Sequence, residues 1–209
     1  MNLKQKIVIV DYGVGNTNSV LNAIKYIGYS NVLISDNEKD INEAECLILP
    51  GVGAFEEAIT NLKKRNLDVV LNEEVLVKQK PILGICVGMQ LMATLSEENG
   101  IHEGLNWIKG DVKKLILPNE FPVPHVGWNN VFVNKIDPLF SRNKINSHFY
   151  FDHSYYFDCD DEYISSYCDY HIKVPSAIQK NNIFGAQFHP EKSQTNGLKL
   201  FRDFFNSIS

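Results

Sequence analysis

Residues 6–28 read "KIVIVDYGVGNTNSVLNAIKYIG", and this stretch decides the fold. It opens with four β-branched residues in a row, Ile7, Val8, Ile9 and Val10. A strand wet on one face alternates apolar with polar residues. An unbroken apolar run is what a strand covered on both faces requires. The period then changes. Val20, Ile24 and Ile27 recur at helical spacing, Asn16, Thr17 and Ser19 supply polar groups for a helix start, and Gly28 supplies its stop. Strand, glycine-bearing turn and helix in this order form the first part of a βαβ unit.

The alternation continues outward. "NVLIS" (31–35), "CLILP" (46–50) and "PILGIC" (81–86) read as further buried strands. "GAFEEAITNLKKRN" (53–66) is a charged amphipathic helix, and "LDVVLNEEVLVKQ" (67–79) a second helical piece. "VGMQLMATLSEEN" (87–99) is expected to be the helix after the fourth strand. From Trp107 onward the chain reads as strands and turns: 107–117, 123–133, 148–157, 163–168, 176–181 and 183–190. A last helix over 193–209 turns Phe201, Phe204, Phe205 and Ile208 inward. The expected fold is α/β: a mostly parallel sheet with helices on both faces and an antiparallel extension in the second half.

With 209 residues, 44% of them apolar, residues 1–209 are read as one domain with a sizeable core. The net charge of −5 argues against a general nucleic-acid binder, whose surface is basic. No apolar run approaches the roughly 18 residues of a membrane span. The start, "MNLKQKIVIVDYG", is basic, but its short apolar run reads as a strand rather than a signal peptide. A cytoplasmic location is expected. Cys46, Cys86, Cys159 and Cys168 fit neither a C-x-x-C site nor a zinc ribbon, so free thiols are expected, with no metal.

In open α/β sheets ligands bind at the carboxyl ends of the strands. "GICVGMQ" (84–90) lies at such an end. Gly-x-Cys-x-Gly has the layout of a nucleophile elbow, a turn so tight that flanking side chains would clash. The sulfur would sit near a helix N-terminus, where the dipole favours thiolate. By itself the pattern also fits a buried structural cysteine between incidental glycines.

A nucleophilic cysteine needs a base and a group that orients the base. "AQFHPEKS" (186–193) supplies both. Pro190 holds His189 extended, and residues two apart in an extended segment share a face, which would put Glu191 beside the imidazole. Acyl transfer also needs an oxyanion hole. Gly51, Val52 and Gly53 end the third strand and can present a backbone N–H. The N–H of Val87, next after the cysteine, is the second donor. Gly13-x-Gly15 with Asp36 partly matches a dinucleotide fingerprint, but Asn18 stands where glycine or alanine belongs. That reading leaves the thiol, histidine and glutamate unexplained.

"LPGVGAF", "GICVGMQL" and "FHPEKS" together resemble the class I, triad-type glutamine amidotransferases. More narrowly, "DYGVGNTNSV", "PHVGWN" and "HSYY" resemble the glutaminase subunit of imidazole glycerol phosphate synthase. The resemblance runs from Ile7 to Phe205 and implies a flavodoxin-like core. It implies Cys86 as nucleophile, His189 as general base and acid, Glu191 as its orienting carboxylate, and Gly51, Val52 and Gly53 as the oxyanion strand. Gln90, Ser154 and Tyr155 match glutamine-binding positions. Tyr12, Asn16, Trp128, Tyr150 and Lys192 match positions on or near the partner-facing surface. Glutamine is the implied substrate, no cofactor is implied, and ammonia would pass to a (β/α)8-barrel cyclase in a heterodimer active in histidine biosynthesis. No residues are left over for a second catalytic domain, so the acceptor is expected on a separate chain. Similar paralogues supply ammonia to enzymes modifying surface sugars. A stand-alone cysteine hydrolase accounts for the elbow but not for Gln90, "HSYY" and "PGVGAF" together. Three stretches depart from the family pattern. Gly104-Leu105-Asn106-Trp107 stands where Gly-Leu-Gly and an aliphatic pair are usual, Asp152 where a small apolar residue is usual, and "YCDYHIKVP" where a Tyr-Gly turn is usual.

Overall fold

The computed structural model describes residues 3–136, 138–143 and 146–208; Ser209, the end of the expected last helix, lies outside them. In chain order the strands are β1 (Ile7–Val10), β2 (Val32–Ser35), β3 (Cys46–Gly51), β4 (Ile82–Cys86), β5 (Leu95–Ser96), β6 (His102–Glu103) and β7 (Gly110–Lys114). They continue with β8 (His125–Val133), β9 (Asn146–His153), β10 (Tyr155–Cys159), β11 (Ile164–Tyr170), β12 (Ile172–Lys180) and β13 (Ile183–Ala186). The α-helices are α1 (Thr17–Tyr26), α2 (Glu38–Glu43), α3 (Phe55–Lys64), α4 (Leu67–Asn72), α5 (Val87–Gln90) and α6 (Gln194–Ser207). A π-helical turn, Glu73–Val77, continues α4.

A nine-stranded sheet runs in the order β2-β1-β3-β4-β13-β12-β11-β8-β9. The pairs from β2 to β13 are parallel and those from β13 to β9 antiparallel, as the change of sequence pattern in the second half implies. A smaller sheet, β10-β7-β5-β6, stands beside it. Ile7, Val8, Ile9 and Val10 are all fully buried, as are Leu47, Ile48 and Leu49 of β3. Helix α1 buries Val20 and Ile24, and Gly28 follows it at φ +103°. Helix α6 buries Phe201, Phe204 and Phe205. Each such aromatic is worth about 1.5–3 kcal/mol of burial. Helix α2 carries no strong apolar period. Its start is set by Asn37, whose side chain accepts from the Lys39 N–H.

The helix expected over 87–99 is only one turn long. After Gln90 the carbonyls of Leu91, Met92 and Ala93 accept from the N–H groups of Leu105, Trp107 and Asn106. The returning segment 104–108 thus takes the acceptors that a longer helix would use. Gly104 permits the approach, since a Cβ there would lie 2.2 Å from the Ala93 carbonyl oxygen. Leu95 and Ser96 then enter the small sheet as β5.

The elbow between β4 and α5 is packed against β3. A Cβ on Gly88 would lie 1.8 Å from the Leu49 carbonyl oxygen, and one on Gly84 2.6 Å from that of Gly88. Gly88→Ala is therefore expected to destabilise the chain by roughly 1–3 kcal/mol or more, the range for overpacked cores. Urea unfolding would read this as a lower midpoint, and an unchanged midpoint would mean that β3 does not clamp the elbow.

Candidate active site

Parallel register brings the carboxyl ends of β3, β4 and β13 level: Gly51 lies opposite Cys86, and Ile85 opposite Ala186. Cys86 sits at φ +55°, ψ −114°, a conformation that a residue with a side chain holds only where its surroundings enforce it. This is the strained strand-to-helix turn of a nucleophile elbow. Because α5 has a single turn, its dipole contributes little at the sulfur. A positive charge near the sulfur comes from elsewhere.

That charge is His189. His189 lines the cavity with Cys86, and its Nδ1 donates to Glu191 Oε1 at 2.8 Å. Both side chains of the His189–Glu191 pair are almost fully buried. Burial alone would lower the imidazole pKa, but the hydrogen bonds and charges of Cys86 and Glu191 outweigh it and raise it to about 10. His189 is extended, as Pro190 requires. Glu191, however, lies in a 3-10 turn, Pro190–Lys192, rather than in a continued strand. The turn, not strand alternation, brings the carboxylate under the ring. Tyr150 O accepts from the His189 N–H at 2.9 Å, which ties the loop to β9.

A cavity of about 270 Å³ opens over the sulfur, lined by Val52, Gly53, Cys86, Val87, Gln90, Glu98, Pro124, Asp152, His153, Ser154, Tyr155 and His189. All the expected glutamine-binding residues, Gln90, Ser154 and Tyr155, are on its wall. Gln90 Nε2 donates to Tyr155 O at 2.9 Å and to Gln187 Oε1 at 3.0 Å. Of the expected oxyanion residues, Val52, Gly53 and Val87 reach the cavity, while Gly51 is buried in β3.

The expected partner-facing residues separate. Trp128 is exposed, and its ring meets Tyr150 edge-on at 6.1 Å. Lys192 Nζ lies 5.3 Å from the Tyr150 ring centroid and 3.9 Å from Asp152 Oδ2. These form one patch beside the cavity. Asn16 is half-buried at the start of α1. Tyr12 is not on the surface at all. It is fully buried, and its hydroxyl donates to Pro50 O at 2.6 Å. It lies two residues past the fully buried β1, and its hydroxyl pins the backbone that leads into 51–53.

Four further residues belong to the site without a local rule that assigns them a role: His125, His153 and Gln187 lie inside the stretches "PHVGWN", "HSYY" and "AQFHPEKS", and Glu98 in the helix expected over 87–99. Glu98 lines the cavity, and its Oε2 accepts from the Phe55 N–H at 2.7 Å. Gln187 Nε2 lies 3.7 Å from Cys86 Sγ. His153 and His125 form a buried pair, Nε2 to Nδ1 at 3.1 Å. Tyr155 O can only accept, so His153 donates to it from Nδ1 at 2.8 Å and accepts at Nε2 from His125. His125 Nε2 in turn accepts from Asn129 Nδ2 at 3.2 Å. Both rings are therefore neutral. Burial lowers His153 to about 3 and His125 to about 4.

A buried thiol, an imidazole held by a carboxylate, and a cavity with amide and carboxylate walls suit attack on an amide carbonyl. The model of the class-I glutamine amidotransferases matches residues 8–208, and the chain belongs to that family. Solved structures share its fold: PurLQS from Thermotoga maritima has a TM-score of 0.74 at 16% identity, covering 99% of this chain and 100% of that one. Among curated relatives, the imidazole glycerol phosphate synthase subunit HisH 2 of Vibrio vulnificus is 45% identical over 203 residues, 97% of this chain and 95% of its own. The corresponding subunit HisH 1 of Campylobacter jejuni is 47% identical over 198 residues, 95% of this chain and 98% of its own.

The neutral histidines make stability pH-dependent. A buried base whose folded pKa lies below its ordinary 6.5 must take up a proton when the chain unfolds in acid. Its contribution is complete above about pH 6.5 and is lost as pH falls toward about 3. At about 1.4 kcal/mol per pH unit, His153 removes about 2 kcal/mol between pH 6.5 and 5. Urea unfolding from pH 7.5 to 5 is expected to show a steeper loss in the unaltered chain than in His153→Gln. Parallel curves would mean that His153 is not held neutral.

Proposed function

We propose that this chain is the glutaminase subunit of an imidazole glycerol phosphate synthase. The observation that carries the reading is the cavity itself: it is lined by Cys86, Gln90 and His189, whose Nδ1 is held by the buried Glu191 Oε1 at 2.8 Å. Cys86 thiolate attacks the side-chain amide carbonyl of glutamine. The Val87 N–H and the peptide of Val52 or Gly53 stabilise the oxyanion. His189 gives its proton to the departing nitrogen, ammonia leaves, and a thioester remains. The sulfur is then neutral, so one of the two charges that hold the His189 pKa up is gone. The ring becomes a competent base for the water that hydrolyses the thioester to glutamate.

Glu98 suits the α-ammonium group of glutamine, and its orientation is fixed by the Phe55 N–H. Ser154 and Tyr155 hold the neighbouring backbone groups. Ammonia released to bulk water becomes ammonium, which does not react, so it passes to the acceptor directly. The acceptor is a (β/α)8-barrel cyclase in a heterodimer, seated on the face formed by Trp128, Tyr150 and Lys192. The relatives named above support this pathway.

Reconstitution with the barrel cyclase tests the reading. Cys86→Ala is expected to abolish glutamine-dependent product formation while ammonia-dependent formation continues. Persistent glutamine turnover in Cys86→Ala would sink the assignment. Glu98→Gln is expected to raise KM for glutamine by about 10- to 100-fold with a smaller change in kcat, as for a lost charged hydrogen bond. An unchanged KM would remove Glu98 from the substrate site.

A further inference from the structure

Gln187 is fully buried two residues before His189, at the end of β13, and neither the elbow pattern nor the Cys-His-Glu chemistry uses it. Its surroundings leave its amide one orientation. Tyr155 O is an acceptor only, so the side-chain amide of Gln90 must turn its nitrogen toward it, at 2.9 Å. The same nitrogen then has its second N–H on Gln187 Oε1, at 3.0 Å. With its oxygen held there, Gln187 has only its NH₂ group left for Cys86 Sγ, at 3.7 Å. The third neighbour of the sulfur is the Asp152 carbonyl, 3.9 Å away, which suits an S–H and not a thiolate.

We propose that Gln187 is a positioning residue for the nucleophile: a chain of amides running from the Tyr155 carbonyl through Gln90 fixes a non-titrating N–H donor on Cys86 Sγ. This rests on the glutaminase reading and deepens it. As a thiol, Cys86 donates to Asp152 O. As a thiolate, it accepts from Gln187 and from His189. The Gln187 dipole therefore favours the anion and fixes the position of the sulfur while His189 is free to move a proton. Unlike His189, it does not change charge during turnover. The same chain turns the carbonyl oxygen of Gln90 away from its protein partners, so the glutamine site and the nucleophile are set by one network.

The experiment is alkylation of Cys86 by iodoacetamide in the full chain, read by mass spectrometry of the Cys86 peptide from pH 5 to 10. Burial raises the pKa of Cys46 beyond that range and pushes Cys168 up to about 12, so neither interferes. In Gln187→Met the midpoint is expected to rise by about one pH unit, a tenfold loss of thiolate at a given pH. A folded Gln187→Met chain with an unmoved midpoint overturns the proposal. A measurement on the unaltered chain stands independently of that variant's folding. The side-chain amide resonance of Gln187 is expected to shift with the same midpoint as Cys86 alkylation. A resonance that does not follow Cys86 overturns the proposal equally. Neither readout needs glutamine, so both are separate from the turnover of Cys86→Ala that decides the glutaminase reading.

Discussion

The close contact of the elbow with β3 is the constraint on which the site depends. Gly88 lies so near the Leu49 carbonyl that no side chain fits, and a Cβ on Gly51 would lie 2.6 Å from the Gly88 nitrogen and 2.8 Å from the Tyr12 hydroxyl. Backbone is packed on backbone there. The elbow cannot relax without parting β3 from β4, and those strands are buried in the middle of the sheet. The strain at Cys86 is thus held by packing on rigid elements rather than by a loop, which is what a preorganised nucleophile requires. Tyr12 extends the same clamp, since its hydroxyl fixes Pro50 immediately before the turn over 51–53.

His189 and His153 line the cavity, with His125 paired to His153 beside it, and these imidazoles are pushed in opposite directions. Burial acts on all of them and disfavours charge. His189 alone has Cys86 and the Glu191 carboxylate as partners, and they win. His153 has a backbone carbonyl and a neutral ring, and the neighbouring His189 charge lowers it further. The site therefore carries a positive charge on one ring only near neutrality. Groups in a shared site whose pKa values are driven apart in this way take different roles. His153 and His125 are structural donors that settle the Tyr155 carbonyl, and that carbonyl settles Gln90.

Strand and helix periods in the first half were legible because burial on both faces leaves an unmistakable apolar run. Cys86, His189 and Glu191 were legible because a glycine-flanked thiol and a histidine followed by proline are rare local patterns with a chemical reason. The roles of Gln187, Glu98, His125 and His153 were not, although three of these residues lie inside the quoted motifs. A lone buried polar residue has no spacing rule, and its partner is often far away in sequence: Gln187 and Gln90 are 97 residues apart. The length of α5 failed for a similar reason. Local pattern favoured a long helix after Cys86, and tertiary hydrogen bonds from 104–108 ended it.

The departures from the family pattern sort themselves by place. Asn106 stands at φ +54° and His171 at φ +64°, left-handed positions in the two segments where glycine is usual. The backbone there is kept, at a modest conformational cost for asparagine and a larger one for histidine. Trp107 is buried, its indole N–H donates to Asn72 Oδ1 at 2.7 Å, and its carbonyl accepts from Lys180 Nζ at 2.8 Å. None of Asn106, Trp107 and His171 lines the cavity. Asp152 is different. Its carbonyl faces the Cys86 thiol, its side chain stands at the cavity wall, and its carboxylate lies 3.9 Å from Lys192 Nζ. A negative charge there offsets the positive potential of Lys192 beside His189. Of the three departures, Asp152 is the one that changes the field met by anything entering the cavity from the Trp128, Tyr150 and Lys192 side.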